Sequence, residues 1–367
     1  MKVALVADWL TIYGGAEHAI TEFKTLWPDA PLFTTVAAKE KLGPLSSADI
    51  RTSHLQKWYK LFKNHQALLP WMPAAIEAID TGTADVIVSS SHAVAKGIVP
   101  VKGAIHVCYC HTPMRYAWEM EETYLKDFRV PGFLRKRVKR ELVRLRRWDL
   151  TTSKRVDAFI ANSKETQNRI KRIYGRESAV IPPPVDEKFF ERPLYQASNR
   201  SRYLAVGRMV PYKRFDLLIE LANKTGMPLS IAGRGQDEAR LKAMAGPTVD
   251  FLGYVQDDRL AALYGTAKAL LFPQYEDAGI VPLEAQACGT PVIAYAKGGA
   301  LDSVIDGTTG ILFADQTVEA LKDALERFEK ISFDPQSIRA HAMQFSASNF
   351  RRRMQEEVER AYGKVRG

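Results

Sequence analysis

Along the chain, short apolar runs alternate with longer stretches in which apolar positions return every three or four residues. The runs predict strands at Val3–Ala7, Leu32–Val36, Asp85–Ser89, Ile105–Tyr109, Ala158–Ala161 and Ala179–Ile181. A second set falls at Tyr203–Val206, Leu229–Ala232, Val249–Leu252, Ala269–Phe272, Pro291–Ala294 and Gly310–Phe313. Several are continuously apolar rather than alternating, as in parallel sheets covered by helices on both faces. Helical periodicity fills most of the intervals, for example Ala16–Leu26, Phe215–Thr225 and Val318–Glu329. The β-α-β pattern therefore runs twice, which predicts an α/β fold of two doubly wound, parallel-sheet, Rossmann-like units.

The length of 367 residues supports two units, because single cores rarely serve so long a chain. The break is expected at Ile181-Pro182-Pro183-Pro184-Val185-Asp186, where three prolines stiffen the chain and remove backbone donors. It puts residues 1–185 in one domain and 186–347 in the other, with the irregular stretch Arg192–Arg202 before the next strand. Nothing is long and apolar enough for a membrane span. The chain opens on a strand pattern rather than a leader, and Cys108, Cys110 and Cys288 are too few for a disulfide framework. A reducing cytoplasm is the expected home.

Charge adds an asymmetry. The formal charge is +10, and residues 1–200 hold 31 basic and 21 acidic side chains, while residues 201–367 hold 21 of each. Phe133–Trp148 contains eight basic residues and one acidic one, with Leu134, Val138, Leu142, Leu145 and Trp148 at helical spacing on one face. The region Trp58–Trp71 mixes Trp58, Tyr59, Leu61, Phe62 and Trp71 with lysines. Both predict contact with an anionic membrane surface. The plainer alternative is that the apolar stripes face the core and the charges are merely solvated. Nucleic acid would also attract these charges, but no recognition motif accompanies them and none is expected as a partner.

Candidate chemistry lies where predicted strands end. Gly14-Gly15-Ala16-Glu17 opens a helix after the first strand, a layout suited to phosphate; it lacks the full dinucleotide fingerprint. In the second unit Gly207-Arg208 and Lys213 offer cations at a strand's C-terminal end, and Gly233 adds a tight turn after the next strand. The richest stretch runs from Pro273 to Pro291. Glu276 is expected in its loop, Glu284 one turn inside the following helix, and the backbone N–H groups of Gly279, Ile280 and Val281 at the helix start. Carboxylates can hold sugar and ribose hydroxyls, and the N–H groups a diphosphate. His111 follows a strand at the same edge of the first sheet. Metal-binding spacings are absent, so no metal is expected.

Together these residues resemble a retaining glycosyltransferase of family 4, of the GT-B fold. Glu276 to Glu284 carries most of the resemblance, backed by Arg208, Lys213 and Gly14-Gly15. The runs Ser89–Gly97 and His111–Trp118 resemble a bacterial branch that builds surface polysaccharides, often from GDP-mannose. The resemblance implies two domains facing a central cleft. A C-terminal domain would bind the sugar nucleotide through Arg208, Lys213, Gly233, Glu276, Gly279, Ile280, Val281 and Glu284, with Gly14 and Gly15 approaching from the other side. An N-terminal domain would bind a lipid-linked saccharide acceptor, with Arg115 and Tyr116 at the acceptor and His111 beside the reacting sugar. His111, Glu276, Arg208 and Lys213 would be catalytic, and a final helix within 348–367 would return to the N-terminal domain. Such an enzyme would work on the inner face of the cytoplasmic membrane. Family members often carry an aromatic residue where this chain has Ala278. Rival readings are a UDP-sugar donor, a sugar-nucleotide epimerase, and a binding module without activity.

Overall fold

The computed structural model describes residues 1–119, 132–195 and 200–366. The chain forms two compact units, one of Met1–Pro183 with Phe350–Gly367 and one of Pro184–Asn349.

Among the described residues the first unit holds seven strands: β1 (Val3–Ala7), β2 (Leu32–Thr34), β3 (Ile50–Thr52), β4 (Val86–Ser91), β5 (Ile105–Cys110), β6 (Ala158–Ala161) and β7 (Ser178–Val180). All neighbours are parallel, in the order β3-β2-β1-β4-β5-β6-β7. Strand β3 escaped the hydrophobic pattern because only Ile50 of Ile50-Arg51-Thr52 is buried, as suits an edge strand. The second unit holds β8 (Arg202–Val206), β9 (Leu229–Ala232), β10 (Val249–Gly253), β11 (Ala267–Phe272), β12 (Val292–Tyr295) and β13 (Gly310–Phe313). Its order is β10-β9-β8-β11-β12-β13, again all parallel.

Apolar helix stripes cover the sheets. The helix Gly15–Leu26 presses Ala19, Ile20 and Phe23 onto β1, and the last helix, Ala347–Arg366, adds Phe350, Met354 and Val358 to the same core. On the opposite face, Ala4, Val6 and Ile87 meet Tyr59, Leu69, Met72 and Ile76. The basic helix spans Gly132–Thr152 and joins that core through Val138, Leu142, Leu145 and Trp148; the side chains of Phe133 and Leu134 lie outside those described. For Val138, Leu142, Leu145 and Trp148 the plainer alternative holds: they pack onto the core.

An ion pair anchors the helix further. Lys96 Nζ lies 2.5 Å from Asp149 Oδ1, with both side chains buried. Asp149 also accepts hydrogen bonds from Trp118 Nε1 at 2.7 Å and Tyr174 OH at 2.8 Å. Among the described residues no helix is long and apolar enough to cross a membrane.

In each sheet the strand order reverses once, between β1 and β4 and between β8 and β11. Open parallel sheets take ligands beyond the carboxyl ends of the strands at such points, because the connecting helices diverge there and leave a crevice.

Candidate active site

At the switch point of the second sheet, β8 ends in Gly207-Arg208 and β11 runs into the loop Pro273–Gly279. Lys213 Nζ bridges the two, 2.6 Å from Glu276 Oε1. Lys213 is buried, so this is a sheltered pair rather than a surface one. Arg208 is exposed at the end of β8. Gly233 ends β9, its N–H donating to the Gly253 carbonyl at 2.7 Å.

The helix Ile280–Ala287 starts from Gly279, which holds φ +69, a conformation that suits glycine alone without strain. No side chain caps this start. The N–H groups of its first turn and their partial positive charge are therefore presented by Ile280 and Val281. Glu284 sits one turn in, and its Oε2 accepts a hydrogen bond from Tyr264 OH at 2.9 Å. Burial pushes the Glu284 carboxyl up to about 7, although the Tyr264 hydrogen bond pulls the other way. Such a carboxyl can gain or lose a proton near neutrality, so a ligand that offers hydroxyl donors can charge it.

The loop carrying Glu276 is tied from the far side. Gly299 donates its N–H to the Glu276 carbonyl at 2.9 Å. A Cβ at Gly299 would lie 1.9 Å from the Ala278 carbonyl oxygen, so only glycine allows the approach. Sequence reasoning missed this support, along with Tyr264 and the buried Gln274. Neither polar atom of the Gln274 amide finds a hydrogen bond among the described residues. The Gly298-Gly299 dipeptide after β12 was the available signal, since glycine pairs after a strand often mark close backbone contact.

Gly14, Gly15, His111, Arg115 and Tyr116 lie in the first unit. Gly14 precedes the helix Gly15–Leu26 with extended backbone, and its N–H donates to Glu17 Oε2 at 3.1 Å. Space above Gly15 is open: a Cβ there would meet nothing within 4 Å. His111 follows β5 and its Nε2 shares a 2.8 Å hydrogen bond with Ser90 Oγ. Burial, reinforced by the charge on His92, lowers His111 to about 3, so it is neutral. Arg115 and Tyr116 both belong to the short helix Arg115–Trp118; the Tyr116 side chain lies outside those described.

Sequence reasoning also passed over Asp8, the first residue after β1. Its carboxylate is buried and bonded to His92 Nδ1 at 2.9 Å. A charged residue directly following an apolar strand was the signal that could have found it.

Two parallel doubly wound sheets, one in each unit, define a class, the GT-B architecture. Residues 13–189 match the family described as Glycosyltransferase Family 4, and residues 186–345 match Glycosyl transferases group 1. The chain is thus built of these two glycosyltransferase domains.

D-inositol 3-phosphate glycosyltransferase of Mycobacteroides abscessus is 33% identical over 193 residues, covering 46% of this chain and 43% of the relative. Glycogen synthase of Pseudomonas syringae pv. tomato is 28% identical over 215 residues, covering 55% and 41%. The chain spans about half the length of the curated relatives it matches. Solved structures of the same fold include Anabaena Alr3699/HepE in complex with UDP-glucose, with a TM-score of 0.69 at 18% identity over 98% of this chain and 100% of that one. Sucrose-phosphate synthase from Thermosynechococcus elongatus has a TM-score of 0.73 at 18% identity over 99% and 100%.

Proposed function

We propose that the protein is a retaining glycosyltransferase that moves a hexose, mannose from GDP-mannose, to a membrane-associated saccharide carried on a polyprenyl diphosphate, in polysaccharide assembly. The observation that carries this reading is the Lys213–Glu276 pair across the second switch point, beside an uncapped helix start and the buried Glu284.

A sugar nucleotide breaks its glycosidic C–O bond readily when the departing diphosphate is stabilised. Here Lys213, Arg208 and the N–H groups of Ile280 and Val281 supply fixed positive charge for that purpose. Before donor arrives, Lys213 and Glu276 neutralise each other. A diphosphate draws Lys213 to itself, and Glu276 is left to accept hydrogen bonds from sugar hydroxyls. Glu284 takes the ribose hydroxyls. His111, neutral and held by Ser90, is suited to hydroxyl contact without competing for the diphosphate. Open space at Gly15 suits a close approach of phosphate to backbone. Retention of configuration follows from the family resemblance, in which the acceptor hydroxyl attacks from the face the diphosphate leaves. On this reading residues 1–185 form the acceptor domain, with Arg115 and Tyr116 at the acceptor and the final helix packed back on it, and residues 186–347 form the donor domain.

The membrane contact, which puts the enzyme on the inner face of the cytoplasmic membrane, falls mainly to the helix Gln56–Phe62 and its neighbour Trp71. Trp58, Leu61, Phe62 and Trp71 are each more than half exposed, beside Lys57, Lys60 and Lys63. Exposed aromatics among lysines suit a lipid–water interface. The helix Gly132–Thr152 contributes charge only.

UDP is a second donor reading, because the Anabaena protein of the same fold was solved with UDP and UDP-glucose. Incubating the enzyme with GDP-mannose and with UDP-glucose, plus membranes carrying acceptor, separates the two by which nucleotide is released. Glu276→Gln should lower release at least a hundredfold while leaving the fold intact; a fully active variant would refute the assignment.

A further inference from the structure

The switch point of the first sheet carries a charged pair that the transfer reading does not use. Strand β1 stops at Ala7 and β4 at Ser91, so Asp8 and His92 face each other across the crevice. The Asp8 carboxylate accepts the backbone N–H groups of His92 at 2.7 Å, Ala93 at 3.1 Å, Val94 at 2.6 Å and Ala95 at 2.5 Å. Ser91 Oγ adds a 3.3 Å hydrogen bond, and His92 Nδ1 lies 2.9 Å away. One carboxylate thus organises the whole turn after β4.

The consequence for His92 is directional. Its Nδ1 is committed to Asp8, and the two nitrogens of an imidazole lie on opposite sides of the ring. Nε2 therefore points away from Asp8, and the side chain is one-third exposed. Trp9 meets the His92 ring edge-on at 4.7 Å and stacks on His65 at 4.9 Å, which fixes the ring plane. His111, at 6.4 Å, uses its Nε2 on Ser90.

Charge follows the geometry. Burial alone would discharge both members of the pair, but their mutual attraction wins. Asp8 is held down at about 2 and His92 is raised above its ordinary value. Burial lowers His111 and His65, and a charge on His92 lowers both further. Glu17, from the helix Gly15–Leu26, also faces His92, and burial raises its carboxyl. Four backbone N–H groups share the Asp8 charge, so Asp8 is satisfied without drawing on His92 Nε2. Lys213 and Glu276 form the ion pair at the other switch point.

We propose that His92, backed by Asp8, is a phosphate-binding residue whose Nε2–H donates to a phosphoryl oxygen at the switch point of the N-terminal sheet. Asp8 is its positioning residue. The phosphoryl group can belong to the leaving nucleoside diphosphate or to a diphosphate-bearing acceptor. Only that choice of sources rests on the transferase reading.

The test is NMR of the full chain with 15N-labelled histidine, the His92 ring signals being assigned by their loss in His92→Gln. Inorganic pyrophosphate, GDP and farnesyl diphosphate are titrated separately. The pyrophosphate arm does not depend on the transferase reading. A saturable shift of the His92 Nε2 signal with pyrophosphate is expected, with roughly tenfold weaker binding in His92→Gln and recovery in His92→Arg. The affinity advantage of wild type over His92→Gln should shrink as pH rises through the elevated His92 titration. A further shift with GDP assigns the site to the leaving group, and one with farnesyl diphosphate assigns it to the acceptor. If none of the three ligands moves the His92 signals, the proposal is overturned. That result would leave the transferase reading standing wherever GDP still bound in a manner sensitive to Lys213→Met.

Discussion

Glu284 is the residue whose environment makes the most measurable claim. Its carboxyl titrates near 4.5 in an unfolded chain and is raised to about 7 by burial in the fold. Between those values the folded form holds a proton that the unfolded form has lost, so stability falls as pH rises from 4.5 through 7 and then levels. Glu284→Gln removes that penalty. The variant should gain about 3 kcal/mol relative to wild type between pH 4.5 and pH 8, read from urea unfolding at both values; equal differences at the two pH values would contradict the burial. Lys96 makes the complementary case. Its partner Asp149 is fully buried, and removing one member of such a pair strands the other charge. Lys96→Met should cost about 3–5 kcal/mol in chemical denaturation, whereas a loss under 1 kcal/mol would mean that Tyr174 and Trp118 alone satisfy Asp149.

At the scale of elements, the two basic stretches divide. Both read alike as sequence, since apolar residues at helical spacing among lysines and arginines look the same whether the stripe faces a core or a membrane. Neighbouring elements decide. Leu142 and Leu145 find a core waiting on the first sheet, while Trp58, Leu61 and Phe62 find none. Trp58→Ala with Phe62→Ala should therefore cut binding to vesicles containing anionic lipid several-fold in a flotation assay, with no loss of thermal stability. Unchanged flotation would remove this helix from the membrane contact.

The same contrast explains what could be read beforehand. Buried parallel strands such as Val86–Ser91 and Val292–Tyr295 announce themselves by continuous apolar runs, so both sheets were legible. So was the loop-and-helix stretch from Glu276 to Glu284, because its residues are consecutive. Asp8 and His92, or Lys213 and Glu276, are joined only by strand order, and a pairing across more than sixty residues leaves no local trace. Strand β3 is short and half polar, which is why its pattern is silent.

On the scale of the whole molecule, the surplus of positive charge lies in the unit that bears the exposed aromatics. The unit with the Lys213–Glu276 pair, Pro184–Asn349, carries 18 basic and 21 acidic side chains. The proposed division of labour follows that charge: an anionic membrane and a lipid diphosphate on one side, a single nucleotide diphosphate on the other. Calorimetric titration of the full chain with GDP-mannose, and in parallel UDP-glucose, at pH 7 tests this most directly. One of the two donors should bind saturably with a Kd between about 1 μM and 1 mM, and Lys213→Met should weaken that binding at least tenfold. Binding of neither donor, or equal binding by Lys213→Met, would contradict the account.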